Sequence, residues 1–280
     1  MNTQNMLLPQ EIAETMESIG VKKTKMPFKK TACLSVLAGA FISFGAIFMT
    51  GTITGTAAFL GFGLTKLLGG IVFSLGLILV VVAGGELFTG NSLMTIGWAS
   101  KKISTRELLR NWTIVYCFNF IGALGTVLLM FLSQQYTFAT GAIGTTALTI
   151  AVGKVGFGFV QAIALGILCN IFVCLAVWMA VGATDISGKV LAIVPPISAF
   201  VAAGFEHSIA NMYFVPMGLS IKYLDPAFAA SVNVPGLENL TIQSFLMNNL
   251  LPVTIGNMIG GGLFVGLIYW FAYHRDGFWG

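Results

Sequence analysis

Two stretches of this sequence put ionisable residues where apolar ones prevail. Gly204-Phe-Glu-His-Ser-Ile-Ala-Asn-Met212 carries Glu206, His207 and Asn211 inside a long apolar run. Gly84-Gly-Glu-Leu-Phe-Thr-Gly-Asn91 carries Glu86, Thr89 and Asn91 inside another. An ionisable side chain at membrane depth is costly and by default marks a path for ions or protons. The other histidine, His274, lies at the C-terminal edge of the last apolar segment. Imidazole has an ordinary pKa near 6.5, so His207 could donate a hydrogen bond or carry a proton. The plainer reading is a buried neutral ring bonded to its neighbours. Thr89 is expected at the matching place in the other stretch, its hydroxyl facing His207 across a pore. Carboxylates of Glu86 and Glu206 facing an anion would repel it. Each lies where a helix should break, so each is expected to play a structural role, accepting from free backbone N–H groups.

Other chemistries lack their residues. Glu206-His207 has no second histidine to complete an H-E-x-x-H zinc site, and no Walker A or dinucleotide fingerprint occurs. No nucleophile elbow G-x-S-x-G is present either. An ATP-driven pump is excluded on the same ground, a membrane enzyme is only a distant alternative, and no cofactor or metal is expected. Cys33, Cys117, Cys169 and Cys174 are scattered through apolar segments without metal-site spacing, and read as small buried packers rather than disulfides.

The elements that position these residues follow from composition. Of 280 residues, 56% are hydrophobic and 9% charged, against about 25% charged in a soluble domain. The chain therefore reads as an all-α, polytopic membrane protein in a lipid bilayer. With roughly 20 apolar residues needed per crossing, six segments qualify, near 31–54, 67–99, 108–132, 156–182, 188–221 and 246–273. The second and fifth are too long for one straight helix, and the two polar stretches interrupt them. Lysine and arginine set the orientation. Lys22, Lys23, Lys25, Lys29 and Lys30 precede the first span, Lys101, Lys102, Arg106 and Arg110 follow the second, and Lys189 and Arg275 lie on the same side. Only Lys66, Lys154 and Lys222 fall opposite. Both termini are expected in the cytoplasm, and the net charge of +4 reads as a topology signal rather than a nucleic-acid patch. Residues 1–30 form a polar N-terminal segment that is no cleaved signal peptide. Its Leu8, Ile12, Met16 and Ile19 share a helical face, which either packs on the protein or covers a pore mouth. Residues 31–275 form one channel domain and 276–280 a cytoplasmic tail.

The two halves repeat. Glu86 precedes Asn91 by five residues, as Glu206 precedes Asn211, and Asn111 and Asn119 are spaced like Asn249 and Asn257. Residues 31–132 and 156–273 thus read as copies of three spans each. An odd number of spans inverts the second copy, and inverted repeats with broken helices mark transport proteins. Half-helix N-termini carry partial positive charge and suit an anion. The asparagines read as hydrogen-bonding glue between helices.

Together, "GFEHSIANM" (204–212), "GGELFTGN" (84–91), "LGILCNIFVCLAVW" (165–178) and "PVTIGNMIGGGLFVGLIYW" (252–270) resemble the formate/nitrite transporter family, in its formate-channel branch. The likeness covers nearly the whole chain. It implies an aquaporin-like protomer with an inverted 3+3 repeat and broken helices 2 and 5. It also implies a homopentamer in a bacterial inner membrane, each protomer having its own pore for formate and similar small monovalent anions. A cytosolic formate-producing enzyme is an implied partner. By the resemblance, His207 is the central histidine, Thr89 its partner hydroxyl, and Asn170 holds the ring. Leu77 and Leu87 form the cytoplasmic-side constriction, Phe73 and Phe200 the outer one, and Phe88 and Val173 line the space between. Lys154, Glu206 and Asn211 form a buried polar network. A nitrite or hydrosulfide channel of the same family is the alternative. A water channel would show Asn-Pro-Ala in both breaks, and neither has it.

A bare carboxylate in low dielectric costs tens of kcal/mol by Born estimates, so it neutralises or finds partners. Protonating an acid of pKa near 4 at pH 7 costs roughly 4 kcal/mol. The anion is thus expected to be drawn in by half-helix ends and Lys154, and to meet His207 and Thr89. There it takes a proton or is held by hydrogen bonds; the sequence leaves both routes open.

Overall fold

The computed structural model describes residues 6–274; residues 1–5 and 275–280, which include Arg275 and the expected tail, lie outside the described residues. All regular structure among the described residues is helical. In chain order the principal helices are α1 (Pro9–Thr24), α2 (Phe28–Ile53) and α3 (Ala57–Gly84), then α4 over 88–99 and α5 (Thr105–Leu132). They continue as α6 (Ala142–Val155), α7 (Phe159–Gly182), α8 (Ile186–Ala202), α9 (Ser208–Leu224) and α10 (Ile242–His274). Five of these, α2, α3, α5, α7 and α10, are long and apolar enough to cross a membrane. The expected fifth span is instead two shorter helices, α8 and α9, separated by the 203–207 break. The expected second span likewise breaks between α3 and α4, at Gly85–Leu87, and begins about ten residues earlier than the sequence suggested. Lys66 and the glycines around it blurred that start; α3 is kinked at Gly61 (φ +68) and continues as helix through Gly63, Lys66, Gly69 and Gly70. The threonine-rich helix α6 was not anticipated, because it is too short to span.

Close backbone approach replaces large side chains where helices cross, as expected when lipid tails offer no hydrophobic incentive to associate. A Cβ at Gly122 of α5 would lie 2.0 Å from Val36 O on α2. A Cβ at Gly260 of α10 would lie 2.2 Å from Ile167 O on α7. The outward faces carry exposed Phe48, Leu128, Leu129 and Leu132, a surface suited to lipid or to another subunit. Cys33 and Cys117 lie on these outer faces, exposed rather than buried as anticipated, while Cys169 and Cys174 are buried; all four are free thiols.

Helix α1 lies against the bundle. Ile12, Ala13 and Met16 pack on Leu93, Ile96, Cys174, Trp178 and Val265. Glu17 pairs with Lys102, and His274 Nε2 approaches the same carboxylate at 3.6 Å. Of the four face residues, Ile12 and Met16 are buried, Ile19 half-buried and Leu8 exposed.

Candidate functional site

Both helix breaks follow a glycine in the left-handed region, Gly84 at φ +95 and Gly204 at φ +75. Side chains with a Cβ rarely adopt that conformation, so the two glycines permit the turn out of the helix. Each break then runs extended to the residue that opens the next helix. That residue is Leu87 (φ −108, ψ 125) before α4 and His207 (φ −111, ψ 114) before α9. The counterpart of His207 is therefore Leu87, not Thr89, which lies two residues further on inside α4. The spacing from Glu86 and Glu206, one residue before each, already held this correspondence.

The same bonds hold the two breaks. Glu86 N donates to Leu34 O at 3.1 Å and Glu206 N to Leu165 O at 3.3 Å. Asn119 Nδ2 donates to Ser35 O and Glu86 O, and its Oδ1 accepts from Phe88 N. Asn257 Nδ2 donates to Gly166 O and Glu206 O, and its Oδ1 accepts from Ser208 N. Backbone groups released by each break are thus satisfied by one asparagine, as burial demands. Because those amides are taken, the carboxylates do not accept from backbone N–H groups as expected. They bond to side chains instead. Asn91 Nδ2 donates to Glu86 Oε2 and Asn111 Oδ1, each at 2.8 Å. Asn211 Nδ2 donates to Glu206 Oε2 at 2.7 Å and Asn249 Oδ1 at 2.8 Å.

A lysine completes each set. Lys154, at the end of α6, donates to Glu206 Oε1 at 2.9 Å. Lys23, at the end of α1, donates to both oxygens of Glu86 at 2.9 Å and to Asn91 Oδ1 at 2.7 Å. Lys154 was expected here; Lys23 was not, because its place in a lysine run made it read as a topology charge only.

His207 is buried and uses both ring nitrogens. Ala210 N donates to Nδ1 at 3.0 Å, so the ring caps α9. Nδ1 is therefore the acceptor, and the neutral ring carries its hydrogen on Nε2. That N–H donates to Thr89 Oγ1 at 2.9 Å. Phe200 stacks beside the imidazole, ring centroids 6.1 Å apart. Asn170 does not hold the ring as the resemblance implied. Its Nδ2 donates to Thr89 O, Ser92 Oγ and Asn257 O, and its Oδ1 is buried without a hydrogen-bond partner. It locks the backbone of α4 to α10, where Gly261 leaves it room: a Cβ there would lie 2.4 Å from Asn170 Nδ2.

Three cavities lead toward this centre. An outer vestibule of about 520 Å³ is lined by Lys66, Lys154, Glu206, Phe73, Phe200 and His207 among others. An inner vestibule of about 280 Å³ is lined by Lys23, Glu86, Leu77 and Leu87, with Met16 and Ile19 of α1. Between them is a void of about 10 Å³ bounded by Ile42, Leu77, Leu87, Val173, Ile197, Phe73, Phe200 and His207. Phe73, Phe200 and His207 border the void and the outer vestibule; Leu77 and Leu87 border the void and the inner one. Phe88 lines none of the three. Its ring packs away from them, against Tyr116 at 4.9 Å and Trp112 at 6.1 Å. Ile42 and Ile197 border the void, but nothing in their sequence context distinguishes them from other core residues.

The chain is similar to known proteins over nearly its whole length. The family model for formate/nitrite transporters matches residues 10–271. The formate channel FocA of Escherichia coli strain K12 is 47% identical over 279 residues, covering 98% of this chain and 97% of that one. A solved pentameric formate channel with formate bound superposes with a TM-score of 0.83 at 46% identity, over 89% of this chain and 98% of that one. An FNT family ion channel superposes with a TM-score of 0.80 at 27% identity, over 94% of this chain and 98% of that one.

Proposed function

The chain belongs to the formate/nitrite transporter family, and from that premise we propose that it is a channel for formate and similar small monovalent anions. It is a membrane protein and not an enzyme. Its six spans form two inverted halves, with α8 and α9 together as the fifth crossing. Both termini face the cytoplasm, across a bacterial inner membrane, and five copies assemble with one pore each. A cytosolic enzyme that makes formate is the natural supplier.

The permeant path runs from one vestibule through the central void to the other. Phe73 with Phe200, and Leu77 with Leu87, are its two constrictions. The void holds about one water-sized group, so passage of a carboxylate of three heavy atoms requires side chains at a constriction to turn aside. At the centre the carboxylate takes the place of Thr89 Oγ1 as acceptor from His207 Nε2–H. The observation that carries this reading is the Ala210 N–H bond to Nδ1. A neutral imidazole that surrendered its Nε2 proton would become an imidazolate. A charged imidazolium has no acceptor nitrogen and would have to leave the cap. The capped ring is therefore a hydrogen-bond donor to the anion, and a proton-donating cycle requires it to swing away from α9.

The test is formate flux into proteoliposomes across pH 5 to 8 for wild type, His207→Phe and Thr89→Val, with nitrite and hydrosulfide as competing permeants. Loss of flux in His207→Phe is the expected outcome, with Thr89→Val retaining measurable flux. Wild-type rates from His207→Phe at every pH refute the role given to His207. Wild-type flux that follows the imidazolium fraction points to the proton-donating route.

A further inference from the structure

The two vestibules differ in charge, and one lysine makes the difference. The charged side chains lining the inner vestibule are Lys23 and Glu86, bonded to each other, so its net lining charge is zero. Those lining the outer vestibule are Lys66, Lys154 and Glu206. Lys154 is paired with Glu206 at 2.9 Å, which leaves Lys66, and a net lining charge of +1. Lys66 lies on α3 and forms no salt bridge with the described residues. Its ammonium lies over the ring of Phe62, 5.5 Å from the centroid. The threonines that share this cavity are not alternative anion donors. The hydroxyls of Thr145, Thr146 and Thr149 donate to Gly141 O, Ala142 O and Thr145 O. Among the described residues, Lys66 is thus the cation of the outer cavity that has no ionic partner.

We propose that Lys66 is a specificity-determining residue that concentrates small anions in the outer vestibule before the phenyl constriction. It makes the channel sided: anions load at lower concentration from the Lys66 face than from the α1 face. This rests on the channel reading above. A single charge a few ångströms from an anion in a wet cavity changes local occupancy on the order of fivefold. The effect fades as salt shortens the screening length to about 3 Å near 1 M.

The experiment is a planar bilayer or oriented-vesicle assay, with formate titrated from one face at a time at low ionic strength. Protein orientation is fixed by protease accessibility of α1. Lys66→Gln is expected to raise the half-saturating formate about three- to fivefold from the Lys66 face and to leave the α1 face unchanged. Lys66→Arg keeps the wild-type value, and raising the salt with potassium gluconate toward about 1 M narrows the difference between variants. An unchanged Lys66→Gln in a conducting background, or an equal shift from both faces, overturns the inference while leaving the channel intact. A wild-type protein that passes no formate refutes the channel reading, and the inference falls with it.

Discussion

Replacing Lys23 by methionine tests whether the tip of α1 is part of the channel scaffold. The Lys23 ammonium makes three hydrogen bonds, two to Glu86 and one to Asn91. The Glu86 side chain is 6% exposed and that of Lys23 21%. Removing one partner of a buried ion pair costs about 3–5 kcal/mol, because the other charge is left buried, whereas an exposed pair contributes about 0–1 kcal/mol. Lys23 opens onto the inner vestibule, so a value of roughly 2–3 kcal/mol lies between those limits. Glu86→Gln in the same chain removes the stranded charge and keeps an amide able to bond to Asn91. The double variant should recover about 1–2 kcal/mol, a coupling typical of residues in one network. Thermal unfolding of the detergent-purified protein is the assay, and trypsin cleavage within α1 reports its release. The expected order of stability is wild type, then Lys23→Met/Glu86→Gln, then Lys23→Met. A double variant less stable than Lys23→Met would refute the reasoning, for it would mean that the unpaired carboxylate is already well solvated.

Two further outcomes follow from the packing and the docking of α1. Gly122→Ala places a Cβ 2.0 Å from Val36 O and should lose at least about 3 kcal/mol or fail to assemble. Gly125→Ala has nothing within 4 Å and should be neutral or up to about 1 kcal/mol more stable; thermal unfolding separates the two. Burial on its own would raise the Glu17 carboxyl, but bonds from Lys102 and Ser100, with His274 adding its field, hold it below the ordinary value of 4.5. A depressed pKa adds stability that is complete above the unfolded value and lost as pH falls through the folded one. The protection factors of the α1 amides should therefore be constant from neutral pH down to about 4.5 and fall below it. Lys102→Met removes the main contacts that lower the carboxyl, so that acid-side loss should shrink or reverse.

Much of the site was legible because its residues are expensive where they sit. Glu86, Glu206, His207 and the paired asparagines interrupt apolar runs, and their spacing revealed both breaks and matched Glu86 with Glu206, though Thr89 was set opposite His207 in the place that Leu87 occupies. What the sequence hid was contact between distant segments. Lys23 looks like any other lysine of a basic run until α1 folds back and sets it on Glu86, 63 residues away. Asn170 and His207 occupy neighbouring layers, and only coordinates show that the amide ties α4 to α10 instead of reaching the ring. Phe88 has the chemistry of a lining residue, but helical phase turns it toward Trp112 and Tyr116. The start of α3 was misplaced because the charge of Lys66 interrupts the apolar run and the glycines before it lower helix propensity, a local preference that tertiary packing overrode.

On the channel reading proposed above, the departure from symmetry at the centre is the reason one imidazole suffices. Leu87 and His207 share a backbone conformation, each opening a helix whose first amide is held by an asparagine, Asn119 or Asn257. A scaffold of two like halves carrying leucine at both places would give an apolar neck with no donor for an anion that has shed its water. Histidine at both would give two donors facing one small void, and conduction needs binding weak enough for the ion to leave. One imidazole, fixed by Ala210 N and aimed at a hydroxyl that an anion can replace, supplies a single donor midway between the vestibules. Leu87 keeps the opposite side dry. On the proposed reading, the two breaks meet at the central void, and histidine standing where the other break has leucine decides that the meeting point binds an anion only briefly.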